Sequence, residues 1–156
     1  MCPKSRRLFC LSCCIALFFG LCQSWAATRQ IAVIVNQRNG VQDLSEAETG
    51  KIFKCVTQKW EDGTPIKVVL RDPSSPEMEL LLWRVYKISA DEFRKFVASH
   101  RDSVIVVDSN EAMRNAVEST PGAIGLIDVF LINKQVKVLK IDGRLPVEYG
   151  YILRGN

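Results

Sequence analysis

Ile31-Ala32-Val33-Ile34-Val35 is an unbroken apolar run, the pattern of a strand covered on both faces, and it implies a central strand with helices on each side. Asn36 to Gly40 interrupts it. Ser45 with Glu48 three residues on is a capping box, opening a helix that closes on Ile52-Phe53-Lys54. Gly63-Thr64-Pro65 reads as a turn, and Ile66 to Leu70 as a second buried strand that ends at Arg71, just before a new helix. Helical spacing returns at Leu80, Leu81, Trp83, Val85 and Tyr86, then at Phe93, Phe96 and Val97 after a second capping box, Ser89 to Glu92. Both faces are expected to pack on the sheet. Val104 to Val107 reads as a third strand, Ser109 to Ser119 as a helix with Met113, Ala116 and Val117 inward, and Ala123 to Asp128 as a fourth strand. Val136 to Ile141 and Val147 to Leu153 complete the pattern as a strand pair around Asp142-Gly143-Arg144. Such alternation predicts an α/β fold: a mainly parallel or mixed sheet flanked by helices, its late strands open to antiparallel pairing.

The first 27 residues change how the rest is read. Lys4, Arg6 and Arg7 precede the mostly apolar stretch Leu8 to Cys22, and Ser24-Trp25-Ala26 is a small-x-small cleavage signal. The stretch falls short of the ~20 residues a spanning helix needs. Residues 1–26 are therefore expected to be a cleavable signal peptide, leaving residues 27–156 as one soluble, periplasmic or secreted domain without stable membrane insertion. Five of the six cysteines (Cys2, Cys10, Cys13, Cys14, Cys22) lie in that leader, so Cys55 stands alone in the mature chain and no disulfide framework can form within it. Burial beside Phe53 and Val56 is the expected fate of its thiol, a reactive role the alternative. One Cys and one His, His100, do not make a zinc set. Of 21 basic and 17 acidic residues, three basic ones and no acidic ones lie in the leader, leaving 18 against 17. That balance, without a basic stripe interleaved with aromatics, gives no signal for nucleic acid. Lys134, Lys137 and Lys140 read as the solvated face of an edge hairpin.

Catalytic signatures are missing from the sequence, with no Gly-x-Ser-x-Gly elbow, His-Glu-x-x-His or Walker loop, and no enzyme activity or cofactor is expected. His100 falls at the C-terminal end of the Ser89 helix, where it suits the helix dipole. One place stands out. At Arg71 a strand ends where a helix begins, so free N–H groups, a partial positive charge and a guanidinium fork could together hold an anion with Ser74 and Ser75. The competing reading is purely structural: Ser74 caps the helix with Glu77 at its third position and Pro76 in the first turn. Asp72, Glu77 and Glu79 would repel a dianion or occupy Arg71 themselves. Trp60 and Trp83 could line a ligand mouth or simply pack, and Gly122 and Gly125 would permit a turn and a close helix-strand approach.

The order of these parts resembles the second lobe of the phosphate ABC-transporter substrate-binding family, of the type II periplasmic-binding fold. That family runs Leu-Ser/Thr, a helix closing on Ile-Phe-x-Gly, a Trp, a strand ending in Arg, and later Gly-Ala-Ile-Gly-Tyr. Here stand Leu44-Ser45, Ile52-Phe53, Trp60, Arg71 and Gly122-Ala123-Ile124-Gly125. Toward the end Asp142-Gly143 is followed by Tyr149 or Tyr151 with Arg154, similar to the family's returning Tyr-x-x-x-Arg element. Two positions depart: the family's Arg-x-x-Ser-Gly-Thr phosphate loop is Arg71-Asp72-Pro73-Ser74-Ser75-Pro76, and Leu126 stands for its Tyr. The resemblance implies a single-lobe, non-enzymatic solute-binding protein for phosphate or a related small oxyanion, with Arg71, Ser74 and Ser75 as ligand residues. The alternative is a periplasmic interaction or regulatory module that has lost the anion site and serves an envelope protein partner.

Overall fold

In the computed structural model, which describes residues 29–155, the apolar run forms β1, Ile31–Asn36, with all six residues buried. Its alternate side chains enter two different cores. Ile31, Val33 and Val35 join one, and Ala32 and Ile34 the other, which is why the run shows no polar alternation. A short strand, β2 (Asp43–Leu44), leads into α1 (Glu46–Phe53), capped as expected by a reciprocal Ser45–Glu48 box. β3 (Lys67–Arg71) is followed by α2 (Pro76–Leu81), which runs on into a π-helical stretch, Leu82–Tyr86. α3 (Ala90–Ser99) carries the second capping box, Ser89–Glu92. Then come β4 (Val104–Val107), α4 (Asn110–Ser119), β5 (Ala123–Asp128), β6 (Val136–Val138) and β7 (Lys140–Ile141).

The main sheet has the order β4-β3-β5-β1-β6 and is mixed: β3 is parallel to β4 and β5, whereas β1 is antiparallel to β5 and β6. β2 and β7 make a separate parallel pair. One face is covered by α1, α2, the π-helical stretch and α3; the other by Met113 and Val117 of α4. Phe93, Phe96 and Tyr86 meet edge-on and stacked at ring separations of 5.1 to 6.1 Å, and the Tyr86 hydroxyl donates to the Phe53 carbonyl. His100 ends α3 and lies on Phe96 at 4.3 Å. The expected leader and its expected cleavage after Ala26 lie outside the described residues. No helix among those described is long and apolar enough to cross a membrane.

Three expectations need correction. Val147 to Leu153 is not a strand. Asp142 and Gly143 do turn with positive φ (50° and 74°), and Ile141 bridges Arg144, but Pro146 has no N–H to give a ladder and Gly150 at φ 83° reverses the chain. The tail crosses β1 instead, where the Ile31 N–H donates to the Leu153 carbonyl and the Val33 N–H to the Tyr151 hydroxyl. Trp83 does not pack inward: at 65% exposure it points to solvent, because Met78, Leu81, Leu82, Val85 and Tyr86 hold the inward face at helical spacing and position 83 falls off it. Val56 is also exposed, so Cys55 is buried beside Phe53 without it.

Cys55 has a second constraint. The Cys55 N–H donates to the Ile52 carbonyl and the Val56 N–H to the Lys51 carbonyl, each at 2.9 Å. This closes α1 in the manner that calls for a left-handed residue, and Cys55 supplies it at φ 55°, a position glycine usually fills. Burial also pushes its thiol pKa up, which slows thiolate chemistry. Cys55→Ser should therefore lower stability by about 1 to 3 kcal/mol in urea unfolding, and the native thiol should react with a disulfide reagent far more slowly than the unfolded one.

Gly122 is spatially obligatory. A Cβ there would sit 1.9 Å from the Pro65 carbonyl oxygen, which is backbone and cannot turn aside. At Gly125 the obstacle is the Met113 sulfur, 2.5 Å from a would-be Cβ, so the missing side chain lets α4 approach β5. Gly122→Ala should cost about 3 kcal/mol or more, beyond ordinary overpacking because no rotamer relieves it, whereas Gly125→Ala should cost less as Met113 shifts. Paired denaturant curves check that order.

Candidate functional site

β3 ends at Arg71, which stands in register with Val107, the last residue of the neighbouring parallel strand β4. Both strands therefore deliver their carboxyl ends to one edge of the sheet, the side on which open α/β sheets bind ligands. Two helices start there. α4 begins behind Ser109, whose Oγ accepts the Ala112 N–H at 3.1 Å, and α2 begins behind Ser75 with Pro76 in its first position.

Arg71 ties these pieces together. Its Nη1 donates to Asn110 Oδ1 and its Nη2 to the Asp108 carbonyl, each at 3.0 Å. Glu77 Oε2 lies 3.8 Å from Nη1. The side chain is mostly shielded, at 18% exposure, and Glu77 more so, at 8%. A guanidinium carries five N–H donors, and Nε has no partner although it is buried.

The loop between strand and helix has its own anchor. Asp72 Oδ1 accepts the Ser74 N–H at 2.9 Å and the Ser74 hydroxyl at 2.6 Å. These bonds, the side-chain one foremost, hold the Asp72 carboxyl below its usual pKa. Ser74 is thus bound within the loop and is not the helix cap expected of it. The cap position belongs to Ser75, one residue on, yet the Ser75 side chain makes no capping bond, and its buried Oγ has no partner at all.

Four buried side-chain polar atoms lack a hydrogen bond among the described residues, and three of them belong to this corner: Arg71 Nε, Ser75 Oγ and Glu77 Oε2. Leaving such a group unpaired costs on the order of 1 to 3 kcal/mol each. Of the three residues named from sequence, Arg71 and Ser75 each carry an unused buried donor, while Ser74 is engaged by Asp72. Asn110, Asp108 and Glu77 were not singled out as members of an anion site. Asn110 and Asp108 are more than thirty residues from Arg71, and only the parallel pairing of β3 with β4 brings them together. Chemically the corner offers a fixed positive charge and two unpaired donors, opposed by one buried carboxyl group. Trp60 contributes nothing here; it is buried, with its indole N–H donating to the Gly122 carbonyl at 3.0 Å.

Comparison with known proteins agrees with this fold. The chain is 27% identical over 119 residues to the phosphate-binding protein PstS of Bacillus subtilis (strain 168), an overlap of 74% of this chain and 37% of that one. Among solved structures, an ABC-type phosphate transport receptor from Vibrio cholerae superposes with a TM-score of 0.70 at 22% identity, over 82% of this chain and 54% of that one. PstS from Borrelia burgdorferi does so at 0.67 and 20%, over 83% and 55%. At these identities the superpositions establish a shared fold. The chain spans about half the length of these solved relatives, and less of the Bacillus protein. The PBP superfamily domain model matches residues 18–150, nearly the whole sequence, and the chain belongs to that superfamily.

Proposed function

We propose that this chain is an exported, non-enzymatic solute-binding protein that holds phosphate or a related small oxyanion at the Arg71 corner. The observation that carries this reading is a pair of unused buried donors, Arg71 Nε at the carboxyl end of β3 and Ser75 Oγ at the start of α2. An oxyanion supplies the acceptors they lack, and it meets a guanidinium whose position is already fixed by Asn110 and Asp108, so little ordering is needed on binding. Relatives described as phosphate-binding proteins and phosphate transport receptors support the ligand class, and the leader pattern in residues 1–26 supports export.

One observation favours a second reading. The Glu77 carboxyl lies 3.8 Å from Arg71 and its Oε2 is buried without a hydrogen bond, so it can itself serve as the anion of the site. A chain closed in this way would be an interaction or regulatory module whose Arg71 has become structural.

Thermal melts in phosphate and in sulfate separate the two. Under the first reading wild-type protein is stabilised, by about 2.7 kcal/mol once the anion reaches a hundred times its dissociation constant, and Arg71→Ala abolishes the response. Under the second, wild type is indifferent to millimolar anion and Glu77→Gln gains the response. Silence from wild type would sink the solute-binding proposal, and silence from Glu77→Gln as well would remove the anion site from both readings. A companion substitution is diagnostic in the opposite direction. Ser75→Ala removes an unsatisfied hydroxyl, so it should leave the ligand-free protein as stable as wild type or up to ~1 kcal/mol more stable, while weakening any anion response. Denaturant titration with and without phosphate reads both effects.

A further inference from the structure

The Arg71 corner does not stand alone at the carboxyl edge of the sheet. β5 runs parallel to β3, with Ala123 opposite Lys67, so Asp128 at its end reaches the edge that Arg71 reaches. Past it, Val129–Leu131 form a single 3-10 turn closed by Asp128, whose Oδ1 accepts the Phe130 N–H at 2.9 Å. The Val129 N–H donates to the Gln30 carbonyl, and Val129 and Ile132 pack against the core on the α4 side. Phe130 between them is left at 85% exposure and Leu131 at 41%. A phenyl ring on a loose segment would mean little, since scattered apolar residues are normal on surfaces. This turn is fixed at both ends and holds its ring off the core.

Helix α4 links the turn to the anion corner. Asn110, its first residue, accepts from Arg71 at 3.0 Å, and Arg114 Nη1 donates to the Leu131 carbonyl at 3.2 Å. Residues four apart on a helix are neighbours, with Cβ atoms roughly 5 to 6 Å apart. One turn of α4 thus carries the Arg71 guanidinium at one end and the Phe130-Leu131 turn at the other, within reach of one small molecule. The chemistry of the corner suits a ligand of that kind. Its unused donors are two, Arg71 Nε and Ser75 Oγ, whereas a bare phosphate presents every one of its oxygens for hydrogen bonding. An esterified oxygen carries no charge and needs no donor. Charge has little more to add, because Glu77 lies 3.8 Å from Arg71 and both Asp72 and Asp108 stand exposed at the same edge. Apolar contact is the other source of affinity, and Phe130 and Leu131 offer it.

We propose that the corner takes an organic phosphate ester, its phosphoryl group at Arg71 and its apolar arm on Phe130 and Leu131. This deepens the oxyanion reading above and rests on it. The phosphoryl oxygens accept from Arg71 Nε and Ser75 Oγ, and the arm covers the Phe130 ring. Phe130 then discriminates the ester from the bare ion and has no part in holding the charge.

Calorimetric titration of the purified protein with inorganic phosphate, methyl phosphate and phenyl phosphate tests this, methyl phosphate matching the charge of the phenyl ester without its ring. Wild type should bind phenyl phosphate about tenfold more tightly than either of the others, the scale of one added aromatic contact. Phe130→Ala, at an exposed position, should keep the circular dichroism and the affinity for inorganic phosphate while losing that preference, and Phe130→Trp should retain it. Arg71→Ala should lose all three ligands. Equal affinity for the three, or a preference that survives Phe130→Ala, would overturn the inference and leave the anion site standing. Phenyl phosphate binding that survives Arg71→Ala would put the ester elsewhere on the surface and overturn it too. Binding of none of the three would overturn the oxyanion reading itself, and the inference with it.

Discussion

The architecture turns on one close approach. The Gly122 carbonyl accepts the Lys67 N–H at 3.1 Å and the Trp60 indole N–H at 3.0 Å, while the Pro65 carbonyl fills the space a side chain would need. This junction starts the β3–β5 pairing at Lys67 and Ala123. Parallel strands have no hairpin to fix their register, and a backbone contact that only glycine allows does that work here. From it follow the position of β3 between β4 and β5 and the arrival of Arg71 at the carboxyl edge. The aromatic ring of Trp60 and the turn at Gly63 serve the same junction, with the Trp60 N–H donating to the Thr64 carbonyl and the Gly63 N–H to that of Trp60.

At the other end of β3 the energetics are less settled within the molecule. Arg71 is satisfied at two nitrogens and faces a buried carboxyl at a distance too long for a hydrogen bond. Near a protein surface a charge pair at ~4 Å attracts by roughly 4 kcal/mol before desolvation, and burial returns much of that as cost. Under the proposed function an external oxyanion would compete with the internal carboxyl for one guanidinium, and Ser75 Oγ, which has nothing else to bond, would favour the ligand. Both readings of function come from that competition, and Glu77 decides between them.

Much of this was legible in the sequence where the cause is local. Both capping boxes form between residues three apart, and the strand at Ala123–Asp128 follows from its apolar run. What escaped depends on distant partners or on a competing local bond. Ser74 and Ser75 are equivalent as letters, but Asp72 captures Ser74 two residues on and moves the cap position to Ser75. Trp83 stands among apolar letters, but the inward face is set by Met78, Leu81, Leu82, Val85 and Tyr86, and position 83 falls outside it. Val147 to Leu153 has strand-like composition, yet Pro146 and Gly150 leave the tail to cross β1 through Ile31 and Val33. Asn110 and Asp108 could be assigned to the corner only once β4 was known to lie beside β3.

The central claim is that the Arg71 corner receives an oxyanion. Nitrogen-15 NMR of the protein titrated with phosphate addresses it most directly, because the Arg71 Nε–H and the amides of Ser75 and Asn110 report from the site itself. The account predicts saturable shifts at those signals, with the Arg71 Nε–H moving as it gains an acceptor. Shifts that are absent, or that gather elsewhere on the surface while the Arg71 Nε–H stays still, would contradict it.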